Sequence, residues 1–175
     1  MLMLISTPER LTIRHLSVND HEFVFMLLND ESFIKNIGDK EIRNSDDAIN
    51  YLVNGPIASY KEHGFGLYLV CLKHNDTPIG MCGFLKRPEL EYPDLGYAFL
   101  PEYCGKGFAQ EASLAVLKAS AKNNCLRKIL SITACSNTPS NNLLIKLGFL
   151  FKEKIHFLNT ENNLYTMNLD TLFNV

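Results

Sequence analysis

Apolar and polar residues alternate along Leu11-Thr12-Ile13-Arg14-His15-Leu16, the period-2 pattern of a strand with one buried face. Asn19 and Asp20 then offer capping chemistry for a helix that carries Phe23, Met26 and Leu27 on one side. Ser45-Asp46-Asp47 opens a second helix with acids in its first turn, where the positive end of the helix dipole favours them. Ile49, Leu52 and Val53 form its apolar stripe, and Gly55-Pro56 is expected to end or kink it. Residues 66–73 and 78–85 read as strands joined by the turn material His74-Asn75-Asp76-Thr77, hence a hairpin. An acidic, proline-flanked loop over residues 87–93 leads to a short strand at 95–100.

Phe108, Ala112, Ala115, Val116 and Ala119 recur on one side of a helix expected over residues 108–124. Residues 129–134 are β-branched and apolar, hence a strand, and 139–147 form a short helix closed by Gly148. Two further strands, 149–157 and 164–169, flank a polar turn over 159–163. Strands interleaved with helices, with a β-helix-β crossover in the middle, indicate a mixed α/β (α+β) fold. Neither a repeat nor a linker-like tract divides the chain, so one domain over residues 1–175 is expected.

Composition narrows the function classes. The net charge of −2 carries no basic excess, which argues against nucleic acid as a partner and leaves a cationic amine acceptable. The five cysteines (Cys71, Cys82, Cys104, Cys125, Cys135) are odd in number and contain no Cys-x-x-Cys, so reduced thiols are expected rather than a disulfide or zinc framework. The five histidines form no ligand spacing, and no metal site is expected. The apolar start is five residues long without a basic leader, and no window approaches the ~20 apolar residues of a membrane span. The expectation is a cytoplasmic protein without a membrane partner.

The chemistry concentrates in Pro101-Glu102-Tyr103-Cys104-Gly105-Lys106-Gly107-Phe108-Ala109-Gln110-Glu111-Ala112, between a strand and a helix. A glycine-rich turn there lets several backbone N–H groups converge at the positive end of the helix dipole, and a plain strand-to-helix turn would use two glycines as well. Gly105 and Gly107 remove side chains that would block a diphosphate, and Ala109 is small for the same reason. The nucleoside-triphosphatase loop is excluded, because Gly-x-x-x-x-Gly-Lys-Ser/Thr is absent.

This stretch resembles the acyl-CoA-binding loop of the Gcn5-related N-acetyltransferase (GNAT) superfamily, Gln/Arg-x-x-Gly-x-Gly/Ala. Cys104-Gly105-Lys106-Gly107-Phe108-Ala109 occupies the pattern, with Cys104 departing from Gln or Arg at its first position. Three strand segments are similar to the first, third and fourth strands of the ribosomal-protein N-terminal acetyltransferase branch, the RimJ/RimL type. They are Pro8-Glu9-Arg10-Leu11-Thr12-Ile13-Arg14, Pro78-Ile79-Gly80-Met81-Cys82-Gly83-Phe84 and Asp94-Leu95-Gly96-Tyr97-Ala98-Phe99-Leu100. Asn137-Thr138-Pro139-Ser140 through Lys146-Leu147-Gly148-Phe149 resembles that branch's late Asn-x-x-Ser…Lys-Leu-Gly-Phe signature, and the likeness spans about residues 7–167.

The resemblance implies a mostly antiparallel sheet of about seven strands, splayed between the fourth and fifth, with about four flanking helices. It implies acetyl-CoA as acetyl donor and a primary amine as acceptor, and it leaves room for a homodimer. The pantetheine arm would pair with free backbone at Phe99 and Leu100, residues 104–109 would hold the diphosphate, and Asn137 and Ser140 would lie along the arm. Many relatives place a tyrosine, the acid for the leaving thiolate, where this chain has Leu144; Ser140 or water is then the candidate acid. A coenzyme thiol with a pKa of roughly 8–9, by analogy with cysteine, tolerates a weak acid. Each of these residues also has a plain structural use: Phe99 and Leu100 in the core, Asn137 as a helix cap.

A base is needed because only a neutral amine attacks. At pH 7 an α-amino group is roughly 14% neutral and a lysine about 0.04%, a difference of about 3.5 kcal/mol. A carboxylate acting through water therefore suffices for an α-amine. Asp94 is the first candidate and Glu91 the second, with Glu89 and Glu102 less well placed; any of them also fits a solvated surface acid. Tyr97 and Tyr103 are candidates for touching the acceptor, Tyr97 equally for the core. Three readings stand: transfer to a protein N-terminus; acetylation of a small amine such as a polyamine, aminoglycoside or amino-acid derivative, which the acidic residues 89–94 would suit; and a non-catalytic acyl-CoA-binding protein.

Overall fold

The computed structural model describes residues 3–123 and 126–170. Eight strands form one sheet: β1 (Leu4–Ser6), β2 (Leu11–His15), β3 (Leu67–Leu72), β4 (Pro78–Leu85), β5 (Asp94–Phe99), β6 (Lys128–Ala134), β7 (Leu150–Phe157) and β8 (Thr160–Asn168). Their order is β1-β2-β3-β4-β5-β6-β8-β7, and every neighbouring pair is antiparallel except β5 and β6. Among the described residues the helices are α1 (His21–Leu28), α2 (Glu31–Ile37), α3 (Ser45–Leu52), α4 (Ala58–His63), α5 (Phe108–Lys122) and α6 (Thr138–Leu147). None of them is long and apolar enough to cross a membrane.

Strand alternation divides the core between the two sheet faces. Leu11, Ile13, Val70, Cys82, Leu95 and Phe99 pack with Val116 and Leu117 of α5 and Leu144 of α6. On the opposite face Leu69, Cys71 and Met81 pack with Phe23, Val24, Leu27 and Leu28 of α1, Phe33 of α2 and Leu52 of α3. The sheet is therefore the middle of three layers.

The counts exceed the expected seven strands and four helices for local reasons. β1 lies in the start that reads only as a short apolar run, and it gains its ladder by pairing with β2. α2 has an Asp30 cap accepting from the Ser32 N–H, but only Phe33 of its seven residues is buried, so it leaves no apolar period. At Gly55-Pro56 the helix does not end. A π-helical turn, Val53–Ile57, carries the chain into α4, its wider loop absorbing the bond that Pro56 cannot donate. Two stripe residues are misplaced by the simple period: Met26 and Val53 are exposed, while Val24, Leu28 and Ala48 are buried.

The last hairpin also differs. The polar residues 159–163 read as a turn, yet the turn is Leu158-Asn159, both at positive φ (48° and 64°), a two-residue connection that matches the twist of its strands. Asn162 sits within β8 and closes the hairpin end through bonds from its amide to the carbonyls of Phe157 and Thr160. Cys71, Cys82, Cys104 and Cys135 are free thiols, while Cys125 and the end of the helix expected to Asn124 lie outside the described residues.

Candidate active site

β5 and β6 touch at one register position, Asp94 opposite Leu130, supported by the Leu130 N–H donating to the Pro93 carbonyl (2.9 Å) and the Ser131 hydroxyl donating to the Leu95 carbonyl (2.9 Å). Beyond that point the strands part. On its other side β5 pairs with β4 from Asp94 to Phe99, and the Leu100 N–H donates to the Ile79 carbonyl (3.0 Å). Hydrogen-bonding direction alternates along a strand, so the even residues 94, 96, 98 and 100 bond toward β4, and the N–H and C=O groups of Tyr97 and Phe99 face the gap. This revises the expected pair. Phe99 keeps its place on the free edge, but Leu100 is engaged: its N–H goes to Ile79 and its carbonyl accepts from the Tyr103 N–H (2.9 Å). The free neighbour is Tyr97.

The gap opens toward the glycine loop. Gly105 and Gly107 both take positive φ (73° and 82°), backbone that L side chains rarely adopt. A Cβ at Gly105 would meet nothing within 4 Å, and one at Gly107 would meet only Arg10 Nη2 (3.3 Å). The first helical bond of α5 runs from the Glu111 N–H to the Gly107 carbonyl (3.0 Å). The amides of residues 105–110 make no hydrogen bond among the described residues, which leaves a run of donors at the positive end of a 15-residue helix. These residues fit a diphosphate. Cys104 does not add to the run: its N–H donates to the Pro101 carbonyl, and its thiol turns back toward the Phe99 and Leu100 carbonyls.

Across the gap lies the N-terminus of α6. Asn137 caps it, its side-chain oxygen accepting from the Ser140 N–H (3.3 Å). The Tyr97 hydroxyl lies 2.7 Å from Ser140 Oγ. Burial pushes the Tyr97 phenol up to about 12, with the Ser140 hydrogen bond opposing. It stays protonated at working pH, so either hydroxyl can donate in the pair, and the Tyr97 hydroxyl also donates to the Ser140 carbonyl (3.4 Å). Leu144 is wholly buried in the core. A phenol thus reaches Ser140 from a strand rather than from the helix, an arrangement invisible to local spacing. Asn141 anchors the same corner: its side-chain oxygen accepts from Thr133, Asn163 and Tyr165 (2.7–2.8 Å), and its amide donates to the Ala134 and Asn137 carbonyls.

Asp94 points to the other sheet face, that of α1–α4. It is 2% exposed and accepts from Arg87 Nε at 2.8 Å. Burial raises its pKa, with Arg87 opposing. Arg87 also lies over the Phe157 ring at the end of β7 (5.3 Å to its centroid). Glu89, Glu91 and Glu102 are exposed. Glu89 and Glu91 line a shallow cavity of about 300 Å³ that also holds Lys128, Lys152 and His156. Tyr103 packs beside the glycine loop, 6.3 Å from the Phe108 ring and with Lys106 Nζ near its face.

A sheet splayed beside a glycine loop that opens a helix defines an acyl-CoA-dependent transferase. The chain belongs to the acetyltransferase (GNAT) domain family, whose model matches residues 10–150. It is 28% identical over 142 residues to an uncharacterized N-acetyltransferase of Bacillus subtilis (strain 168), YnaD, covering 81% of this chain and 80% of that protein. Its fold superposes on RimL, the ribosomal L7/L12 alpha-N-protein acetyltransferase in complex with coenzyme A, with a TM-score of 0.83 at 16% identity (95% and 98% of the chains). A spermidine N-acetyltransferase chimera from Vibrio cholerae SpeG and hSSAT superposes with a TM-score of 0.79 at 19% identity (95% and 100%). The protein is an acyltransferase, and acetyl-CoA is its acetyl donor.

Proposed function

We propose that this protein acetylates the α-amine of a peptide or protein N-terminus by direct attack of the amine on the thioester. Acetyl-CoA supplies the activated acetyl group. The amides of residues 105–110 bind the diphosphate, and the Tyr97 and Phe99 backbone pairs with the amides of the arm. The acceptor enters from the α1–α4 face, where the Asp94 carboxylate, through water, takes the proton of the attacking nitrogen. Ser140 returns a proton to the departing thiolate from the opposite face. The Tyr97 hydroxyl, 2.7 Å from Ser140 Oγ, holds the serine at the gap; when Tyr97 is the donor of that bond, the serine's own proton is left for the thiolate.

One observation supports the reading: Asp94, at the last paired position of β5 and β6, and the Tyr97–Ser140 pair, just past it where the strands part, lie on opposite sheet faces. Charge supports this acceptor class over a polycation: Asp94 is paired with Arg87, and the acids 89 and 91 share their cavity with Lys128 and Lys152. RimL is named for transfer to a protein α-amine and SpeG for transfer to spermidine, so the shared fold does not choose between them. Residues 1–175 acting as one cytoplasmic domain, with no nucleic-acid or membrane partner, complete the proposal.

The test is an acetyl-CoA thiol-release assay with three acceptors at equal concentration. They are a short peptide with a free N-terminus, the same peptide blocked at its N-terminus and bearing a lysine, and spermidine. The free N-terminus should be turned over at least tenfold faster than the other two. Preference for spermidine would overturn the acceptor class.

A further inference from the structure

Arg10, at the start of β2, stands next to the glycine loop although about a hundred residues separate them in sequence. Its Nε donates to Glu111 Oε2 at 2.7 Å, and its backbone N–H donates to Glu111 Oε1 at 2.7 Å. Nη1 donates to the Lys106 carbonyl (3.0 Å), and the guanidinium lies 4.5 Å from the Phe108 ring centroid. The Arg10 carbonyl in turn accepts from the Lys73 N–H (2.9 Å), which fixes the residue's backbone to the sheet.

The Lys106 carbonyl belongs to the peptide whose other end is the Gly107 N–H. In a trans peptide those two groups point in opposite directions. Holding the carbonyl against Arg10 therefore aims the Gly107 N–H away from Arg10, toward the side where the other free amides of the loop lie. A guanidinium on the carbonyl also polarises the peptide and strengthens its N–H as a donor. Glu111 holds Arg10 at both ends, accepting from Nε of the guanidinium and from the backbone N–H.

We propose that Arg10 is a positioning residue for the diphosphate cradle, aiming the Gly107 amide through the Lys106 carbonyl while Glu111 holds its fork. The proposal rests on the reading of residues 105–110 as the diphosphate site. Glu111 offsets the charge of Arg10, and Nε and Nη1 are engaged by protein acceptors, so its part in the cradle is to hold the loop rather than to supply the main charge.

The experiment compares two donors, acetyl-CoA and acetyl-pantetheine, which carries the same thioester without the diphosphate. In Arg10→Gln the ratio of kcat/KM for acetyl-CoA to that for acetyl-pantetheine falls about tenfold, the loss worth one charge-assisted bond. Arg10→Lys, which keeps the charge but loses the fork, falls as far. Glu111→Gln falls about threefold, because one neutral acceptor oxygen remains for the two donors of Arg10. A merely structural role lowers both donors together and leaves the ratio unchanged, and that result overturns the proposal. So does Arg10→Lys with the wild-type ratio, which would mean simple attraction of the anion. Calorimetry of CoA with the unaltered protein keeps the underlying reading separate: no binding there would remove the cradle itself, whereas intact binding with unchanged ratios removes only the role of Arg10.

Discussion

The Asp94 carboxylate is almost wholly buried by protein, and the two influences on it pull in opposite directions. Burial disfavours its charge and Arg87 restores part of it; burial wins, so its pKa lies above the ordinary carboxylate range. A raised pKa makes a better base, provided that the group is ionised. Activity that depends on it is therefore lost as pH falls through the raised value and is full above it. Asp94→Asn should lower kcat by about a hundredfold at neutral pH and remove the acidic limb of the pH profile; a variant that keeps that limb would show that another group is the base. Ser140→Ala should lower kcat about tenfold with little change in the KM for acetyl-CoA. Tyr97→Phe should cost less, since it misdirects the serine's proton without removing it. A Tyr97→Phe loss larger than that of Ser140→Ala would make the phenol itself the acid. Asp94 and Ser140 are legible in the sequence through their place in recognised segments. The Tyr97–Ser140 bond is not, because it joins residues 43 apart across the gap.

At the scale of elements, recurring patterns reveal what local physics governs and miss what tertiary pairing decides. β6 and α6 are readable because β-branched runs, caps and a closing glycine act within a few residues. The free edge of β5 is not: which of its amides face the gap depends on the register with β4, and that places Tyr97 rather than Leu100 beside Phe99. Two elements carry predictions. At the glycine loop, Gly107→Trp adds a side chain to backbone at φ 82° and fills the cradle, so CoA binding by calorimetry should vanish; unchanged binding would remove the loop from the site. Between β2 and α1, Arg14 and Asp20 form a doubly hydrogen-bonded, mostly buried pair (2.8 and 3.0 Å). Burial works against the charge of Asp20, but the bonds from Arg14 and Ser17 prevail, and its pKa is lowered. A depressed carboxylate contributes stability that is full above its unfolded pKa and is lost as pH falls through the folded value. Asp20→Asn should then cost about 1–3 kcal/mol at pH 7 in urea unfolding, and the gap to the unaltered protein should close below about pH 4. A gap independent of pH would deny the pair its ionic character.

Across the whole molecule, the splay is where the sheet gives up backbone pairing, and unpaired strand groups need a partner. A ligand that inserts there binds the folded chain alone. At a CoA concentration a hundred times its Kd, stability should rise by about 2.7 kcal/mol. That corresponds to about 5–10 °C in thermal midpoint for a chain of this length. The family and its open sheet could be anticipated from four ordered segments; the placement of Asp94 and Tyr97 on opposite faces could not, because it follows from strand parity, which a shift of one residue would invert.

The central claim is that the arm of acetyl-CoA completes the sheet at β5, and amide hydrogen exchange at single residues tests it most directly. On adding CoA, the amides of Tyr97 and Phe99 should slow by at least tenfold, while those of Ala98 and Leu100, already bonded toward β4, should change little. Unchanged exchange at Tyr97 and Phe99 with CoA bound would contradict the account.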